Sequence, residues 1–291
     1  MRIAQIILPD ASQYERKSQR ADRAALAGRY EFVDDPGKSD LAHVYGSREL
    51  PRSLRVPVPF VSSAPMTSSR WPWRRSGTEP AHVVSWRELP EVVEDAYFVD
   101  VGRASARPDG LKPAPHGLKP APHGLKPGPH GLKPGPHGVE PGPYVVGSYA
   151  RKSAHSMVER TLARIHRFRD DVQWNVLDHV PTPEDLRKVD VWVDPAVEEE
   201  DLDGFTAEAL VSGVPVVAAR TEINLARCEK GRTAFLVPRN DPNEMTHAIL
   251  AALFKSEVAQ EKIRAAGQTS SRFRAKHRLR ILTKLYETLI A

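Results

Sequence analysis

A tandem repeat divides this chain and most constrains what it can fold into. The seven-residue unit GLKP(A/G)PH occurs four times from Gly110 to His137, and a degenerate copy, GVEPGPY, follows. Two prolines in every unit remove backbone donors and fix φ, so neither a helix nor a sheet can include the repeat. We therefore predict that residues 108–143 form a disordered linker between one domain at 1–107 and another at 144–291.

The histidine of each repeat does not predict a metal site. In an extended polyproline chain, equivalent histidines of successive units lie about 22 Å apart, whereas the ligands of one ion must converge within about 2 Å of it. Near-identity of the copies indicates recent duplication, and lengthening the linker costs only about 1.5 kcal/mol of closure entropy. We interpret the repeat as tolerated rather than functional, and we expect no bound metal.

Composition limits the class of protein. No apolar run approaches the length of a membrane span, and the N-terminal segment MRIAQIILPD lacks the features of a signal peptide. The single cysteine, Cys228, excludes an internal disulfide framework and a cysteine-rich metal site. A cytoplasmic setting is the resulting expectation. The net charge of +5 suggests polyanionic or diphosphate-bearing partners, but no nucleic-acid-binding motif accompanies it, so we expect no nucleic-acid partner.

Strand-like and helix-like segments alternate on both sides of the repeat. This order is typical of parallel β-α-β units, so we predict an α/β fold with two Rossmann-like, doubly wound domains. In the first domain the predicted strands are MRIAQII, DLAHVYG, VPVPFVSS, HVVSW and YFVDVG, and QRADRAALAG is a predicted helix.

Helix start signals are clearer in the second domain. Thr182 and Pro183 have the N-cap and first-position residues of a helix, and DPNEMTHAILAALF begins another. The final helix carries Leu279, Leu282 and Tyr286 on one face, and we assign it to the second domain.

Two segments follow predicted strands at the edge of the second sheet where ligands usually bind. The turn GSYARKS contains Gly147, Ser148, Arg151 and Lys152, and the segment VDPAVEEEDLDGFTAEAL leads into a helix that contains Glu208. Free amides at such a helix start suit a phosphate group, a carboxylate one turn later suits sugar hydroxyls, and basic residues opposite balance phosphate charge.

The second segment resembles a known family. DPAVEEEDLDGFTAEALVSGVPVVAAR, followed by AFLVPRNDPNEMTHAI, is similar to the nucleotide-sugar half of the GT-B glycosyltransferases, family 4 in particular. Glu200 and Glu208 have the spacing of the family's two glutamates. The resemblance covers Tyr144 to Phe254, and the first domain resembles a shortened form of the family's acceptor domain.

The resemblance implies a role for each candidate residue. Glu208 would hold the donor's ribose hydroxyls, Glu200 would lie near the transferred sugar, and Arg151 and Lys152 would stabilise the leaving diphosphate, which is electrostatic catalysis. The predicted donor-binding residues are Gly147, Ser148, Gly204, Phe205, Thr206 and Glu208. The implied reaction is transfer of a sugar from a nucleotide-diphosphate sugar to an acceptor, with retention of configuration and without a cofactor.

Departures from the family pattern leave an alternative open. Ser148 and Ser153 stand where the family has an arginine and a lysine, so Arg151 and Lys152 are neighbouring substitutes. The first domain is also shorter than is usual for the family. A catalytically weak or inactive relative that binds a nucleotide sugar or a protein partner is therefore the second hypothesis.

A tryptophan- and arginine-rich segment, SSRWPWRRSG, lies in the first domain. It could rest at a membrane interface, because aromatic rings and arginines suit anionic headgroups. The interpretation that we prefer is an irregular loop whose tryptophans pack on the core. The first interpretation predicts an acceptor at a membrane surface and a cytoplasmic protein that is peripheral at the inner membrane face.

Overall fold

The computed structural model describes residues 1–7, 13–45, 60–63, 82–84, 93, 95–99, 143–149, 152–198 and 204–290. Of the predicted linker, residues 108–142 lie outside this part of the chain. The first domain contains the elements β1 (Arg2–Ile7), α1 (Gln13–Leu26), β2 (Glu31–Val33), β3 (Leu41–Tyr45), β4 (Phe60–Ser63) and β5 (His82–Val84).

The second domain follows the same alternation. Its strands are β6 (Tyr144–Tyr149), β7 (Val172–Leu177), β8 (Val191–Asp194), β9 (Val216–Ala219) and β10 (Phe235–Val237). Its helices are α2 (His155–Ile165), α3 (Pro183–Arg187), α4 (Thr206–Val211), α5 (Glu222–Arg227), α6 (Pro242–Phe254) and α7 (Ser256–Thr269), and α8 (Ala275–Ile290) ends the described chain.

Each domain is built on a parallel sheet with the same doubly wound order. The first sheet runs β2-β1-β3-β4-β5, and the second runs β10-β9-β8-β6-β7. All the pairings described in both sheets are parallel. In each sheet the strand order reverses beside the first strand, which makes the gap between β6 and β8 a switch point of the second sheet. The predicted α/β class with two Rossmann-like domains is confirmed.

Alternation along β8 shows how the second sheet is covered on both faces. Val191 and Val193 are fully buried among residues of α2 and α6, whereas Trp192 is fully buried on the opposite face among residues of α4. Successive side chains of a strand point to opposite faces, so a strand that is apolar throughout fits a sheet with helices on both sides.

The predicted helix starts are confirmed. Thr182 accepts a hydrogen bond from the backbone amide of Asp185, whose carboxylate accepts one in return from the Thr182 amide, and this reciprocal pair is a capping box. Asp241 caps α6 by accepting from the amides of Asn243 and Glu244.

The last helix packs against the first domain and not against the second, to which the sequence analysis assigned it. The prediction placed α8 with the second domain, but Leu282 and Tyr286 are fully buried in a cluster with Ile3 and Leu41 of the first sheet. The apolar face of α8 thus covers the first sheet, and the chain returns to its first domain at its C-terminal end.

The strand predicted at YFVDVG is wrong over its described residues. Asp95–Tyr97 forms a 3-10 turn instead, and Tyr97 is buried against the second domain, where its hydroxyl donates to the carbonyl of Pro181 at 2.6 Å. The amide of Val99 also donates to the carbonyl of Val211 at 3.2 Å. These bonds to the second domain replace the sheet ladder that the sequence pattern suggested.

Within the described residues, no helix combines the length and the apolar character that crossing a membrane requires.

Candidate functional site

The carboxyl ends of β6 and β8 meet at the switch point of the second sheet. These strands are directly paired, with Gly147 opposite Trp192 and Ser148 opposite Val193. Strand β8 ends at Asp194, and α4 begins after the loop that follows. Ligands of open parallel sheets bind outside this edge. The structure therefore brings the two segments chosen from the sequence to one edge.

Asp194 organises the start of α4. Its buried carboxylate accepts hydrogen bonds through Oδ2 from the Thr206 hydroxyl at 3.0 Å and from the Asn224 side-chain amide at 2.8 Å. A Cβ atom on Gly204 would lie 2.0 Å from the same oxygen. Only glycine can occupy position 204, because the backbone there passes directly against this carboxylate.

Phe205 holds a strained backbone conformation at the same place. It is the residue before α4 and has φ of 50° and ψ of 29°, in the left-handed region. Its ring packs edge-to-face on Tyr149 from the end of β6, with 4.9 Å between centroids. A non-glycine residue in this region costs about 1–3 kcal/mol, and such residues cluster at functional sites. The contact with Tyr149 helps to hold Phe205 in this conformation.

Glu208 is a second buried carboxylate of the site. Its side chain is only 3% exposed, yet it forms an ion pair through Oε1 with Lys17 of α1, in the first domain. Among the described residues no further hydrogen bond reaches this carboxylate, so Oε2 keeps its acceptor capacity. The domains therefore meet at the residue that the sequence predicted to bind ribose.

Gly147 and Ser148 serve packing inside the domain. A Cβ on Gly147 would lie 2.7 Å from Val189 and 3.0 Å from Trp192, so glycine is needed for close contact. The Ser148 hydroxyl is fully buried and accepts from the Trp174 indole at 2.8 Å. Contact of either residue with a donor stays a prediction.

The predicted catalytic residues can be placed only in part. Lys152 begins a 3-10 turn, Lys152–Ala154, that precedes α2. Arg151 and Glu200 lie outside the described residues, so their predicted roles stay predictions.

Sequence reasoning missed three residues of this site. Asp194 is the last residue of a buried strand, and this position at the carboxyl end could have identified it as a candidate site residue. Trp192 connects β6 to the residues before α4, because its indole donates to the Gly204 carbonyl at 2.8 Å while its ring fills the space beside Gly147. Lys17 comes from the other domain, and nothing in the local sequence links it to Glu208.

Metal-ligating side chains do not gather at this edge or elsewhere in the described chain. Within the described residues, no group of three or more His, Cys, Asp or Glu side chains is placed to hold a metal ion. The thiol of Cys228 is buried, and burial raises its pKa to about 12, which keeps it protonated and unreactive.

Comparison with protein families and solved structures gives the site its context. Residues 144–254 match the family described as Glycosyl transferases group 1. This segment runs from the first residue of β6 to the last of α6, and so contains the whole switch point. No curated protein sequence matches the chain significantly.

Solved structures match nearly the whole chain. Alr3699/HepE from Anabaena, in complex with UDP, aligns with a TM-score of 0.63 at 12% identity, covering 99% of this chain and 100% of its own. A glycosyltransferase from Rickettsia africae aligns with a TM-score of 0.58 at 11% identity, covering 99% and 98%. The spinosyn rhamnosyltransferase SpnG, in complex with thymidine diphosphate, aligns with a TM-score of 0.52 at 12% identity, covering 98% and 100%. These likenesses establish the GT-B fold.

Proposed function

We propose that this glycosyltransferase, whose residues 144–254 form a group 1 domain within a GT-B fold, transfers a sugar from a nucleotide-diphosphate sugar held by its second domain. Similar structures carry UDP, UDP-glucose or thymidine diphosphate. Sugars linked to uridine or thymidine diphosphate are therefore the first donors to test.

The observation that carries this proposal is the buried carboxylate of Glu208 at the switch point. A carboxylate with so little exposure needs charged or hydrogen-bonding partners, and one of its oxygens still has room to accept. A ribose offers two adjacent hydroxyl donors that suit a carboxylate. Lys17, from the first domain, balances the charge of Glu208 and brings that domain to the same ligand.

The diphosphate is proposed to lie beside the segment Gly204–Thr206. Asp194 and the packing of Phe205 fix this backbone, and a fixed backbone can direct its amides at a phosphate oxygen without reorganisation. In this proposal Arg151 and Lys152 counter the charge that develops on the leaving diphosphate, and Glu200 lies near the transferred sugar.

Retention of configuration and independence from a cofactor complete the proposal. Both rest on the resemblance of residues 144–254 to family 4, in which an arginine and a lysine usually stabilise the charge that develops on the leaving diphosphate. The acceptor is proposed to be reached from the cytoplasm at the inner membrane face, on the basis of the tryptophan- and arginine-rich segment SSRWPWRRSG.

A second candidate function is favoured by Ser148. Where the resemblance calls for an arginine, this chain has a buried serine whose hydroxyl bonds Trp174. A chain that lacks this charge could bind a nucleotide sugar without turning it over, and act as a binding protein.

Donor binding can be measured by thermal unfolding and calorimetry with UDP, UDP-glucose, thymidine diphosphate and a panel of nucleotide sugars. A ligand at 100 times its dissociation constant should add about 2.7 kcal/mol to the free energy of unfolding. Glu208→Gln should weaken binding at least about tenfold, because the amide replaces a charged acceptor. Glu244→Gln, in the exposed first turn of α6, is the matched control and should bind like the wild type.

Two results would contradict the donor site. One is the absence of binding by any nucleotide or nucleotide sugar. The other is wild-type affinity in a folded Glu208→Gln variant.

A further inference from the structure

A basic groove lies along the outer side of α8, away from the switch point. Among the described residues that line it, the cations are Arg29, Arg274, Lys276, Arg280 and Lys284, and the one carboxylate is that of Glu287; the cavity volume is about 690 Å³. Ordinary small-molecule sites have about 300–1,000 Å³. The groove can therefore hold a ligand larger than a single ion.

Two of the five cations are already balanced. Arg29 pairs with Glu287 at 2.5 Å, and Arg274 pairs with Asp95 at 2.6 Å while stacking over the ring of Phe98. The first pair joins α8 to the turn after α1, and the second joins the residue before α8 to the segment 95–99. They fix two walls of the groove.

The other three cations form an unbalanced stripe. Lys276, Arg280 and Lys284 are exposed and follow one another at steps of four residues along α8. Within the described part of the chain, no carboxylate lies within ion-pair distance of any of them. Like charges at this spacing on a helix repel one another, so the stripe carries a cost that an anion would remove.

His277 reports the positive potential of the same region. Its pKa lies below the ordinary value because the ring is partly buried and because Arg280 and Arg272 oppose a further positive charge. The side chain therefore stays neutral at neutral pH and can offer a hydrogen bond without adding charge.

The groove is separate from the donor site. Lys17, which pairs with Glu208, lies near the N-terminal end of α1, and Arg29 lies just past the C-terminal end. The stretch of α1 from Lys17 to its last residue, Leu26, is about 14 Å long. The groove and the ion pair of Glu208 therefore lie towards different ends of α1.

We propose that the basic groove of α8 binds a soluble anion that carries two or three phosphate groups. The exposed ammonium and guanidinium groups of Lys276, Arg280 and Lys284 are spaced along the groove, as a chain of phosphates requires, and guanidinium groups bind phosphate oxygens in pairs. The volume of the groove suits a compact anion. This assignment does not depend on the proposed transferase reaction.

Tripolyphosphate is the probe, titrated by calorimetry into the full chain saturated with UDP, so that the donor site is filled. The variant Arg280→Gln/Lys284→Gln should bind it at least about tenfold more weakly, since two charged contacts are lost. The control Arg167→Gln/Lys255→Gln removes the same charge from exposed positions of the second domain and should leave the affinity unchanged. Affinity should also fall with rising salt.

Three results would overturn the proposal. They are no binding of tripolyphosphate by the wild type, equal weakening in the groove and control variants, and binding only to vesicles that contain anionic lipid. Because all four substituted residues are exposed, circular dichroism and thermal unfolding of the ligand-free variants should match the wild type and exclude misfolding as the cause.

Discussion

At the scale of single residues, the candidate site depends on a glycine whose space is taken by a carboxylate. Asp194 ends β8 and binds Thr206 and Asn224, and Gly204 passes so close that a Cβ would lie 2.0 Å from its Oδ2. The glycine therefore serves the packing of the loop, and through that packing it sets the position of the amides proposed to meet the diphosphate.

Gly204→Ala should destabilise the second domain by about 3 kcal/mol or more, because a buried carboxylate must move or lose its partners. Chemical denaturation followed by tryptophan fluorescence measures this change. Gly28→Ala is the matched control, since a Cβ there would meet nothing within 4 Å. The control should be unchanged or up to about 1 kcal/mol more stable, and equal loss in both variants would contradict the interpretation.

A second residue, His43, should set the acid stability of the first domain. It is fully buried, its Nδ1 lies 2.5 Å from the Tyr286 hydroxyl, and burial lowers its pKa from 6.5 to about 4, with Asp22 opposing and Arg278 adding to this shift. Between pH 6.5 and about pH 4, His43 is therefore protonated in the unfolded chain but neutral in the folded chain. The free energy of unfolding should be highest above about pH 6.5, where His43 is neutral in both states, and should fall by about 3 kcal/mol as the pH is lowered to 4.

Denaturation midpoints measured from pH 4 to pH 7 test this dependence. His43→Gln should remove the slope in that window whatever its overall stability, whereas His155→Gln, an exposed control, should keep it. A slope that persists unchanged in His43→Gln would show that another group is responsible.

At the scale of elements, α8 fastens the C-terminal end of the chain to the first domain. Arg278, which is 3% exposed, forms a double contact with the fully buried Asp22 of α1, and Asp22 also accepts from the Tyr45 hydroxyl at 2.7 Å. This ionic contact lies beside the apolar cluster of Leu282 and Tyr286.

Removing one partner of this pair should loosen the helix. Arg278→Met leaves the Asp22 carboxylate buried without its cation, which should cost about 3–5 kcal/mol of stability. Lys276→Met, two positions away and exposed, should cost no more than about 0.5 kcal/mol. Hydrogen exchange of α1 and α8 locates the effect, and wild-type protection of both helices in Arg278→Met would contradict this role.

These elements also show how far the sequence could predict the structure. The caps at Thr182 and Asp241, the alternation of strands and helices and the buried face of α8 all follow from local patterns. An apolar face predicts burial but does not say against which sheet, so the destination of α8 could not be predicted. The strand predicted at Tyr97 is wrong for a related reason. Hydrogen bonds to carbonyls that are distant in the sequence outweigh the strand propensity of this segment.

For the candidate site as well, the sequence indicates the residues of a local motif but not those brought there by long-range contacts. Glu208 and the segment Gly204–Thr206 could be chosen as candidates because a local motif carries them, and their binding of a donor stays a prediction. Lys17 and Asp194 were missed, because their roles arise from contacts between a first-domain helix and α4 and across the loop after β8.

At the scale of the whole molecule, two doubly wound domains meet around one buried carboxylate. Lys17 reaches Glu208 from the first domain, while the segment 95–99 and α8 tie the chain across both domains. A ligand that binds Glu208 therefore contacts the place where the domains join, and a transferase of this architecture needs both domains to enclose the reacting groups.

The most direct test of the central claim is the release of nucleoside diphosphate from a panel of nucleotide sugars, measured with and without a broad set of acceptors. At least one donor should yield nucleoside diphosphate in repeated turnovers, and Glu208→Gln should lose most of this rate while Glu244→Gln keeps it. Tight donor binding without release from any donor would contradict transferase activity and support a binding protein instead.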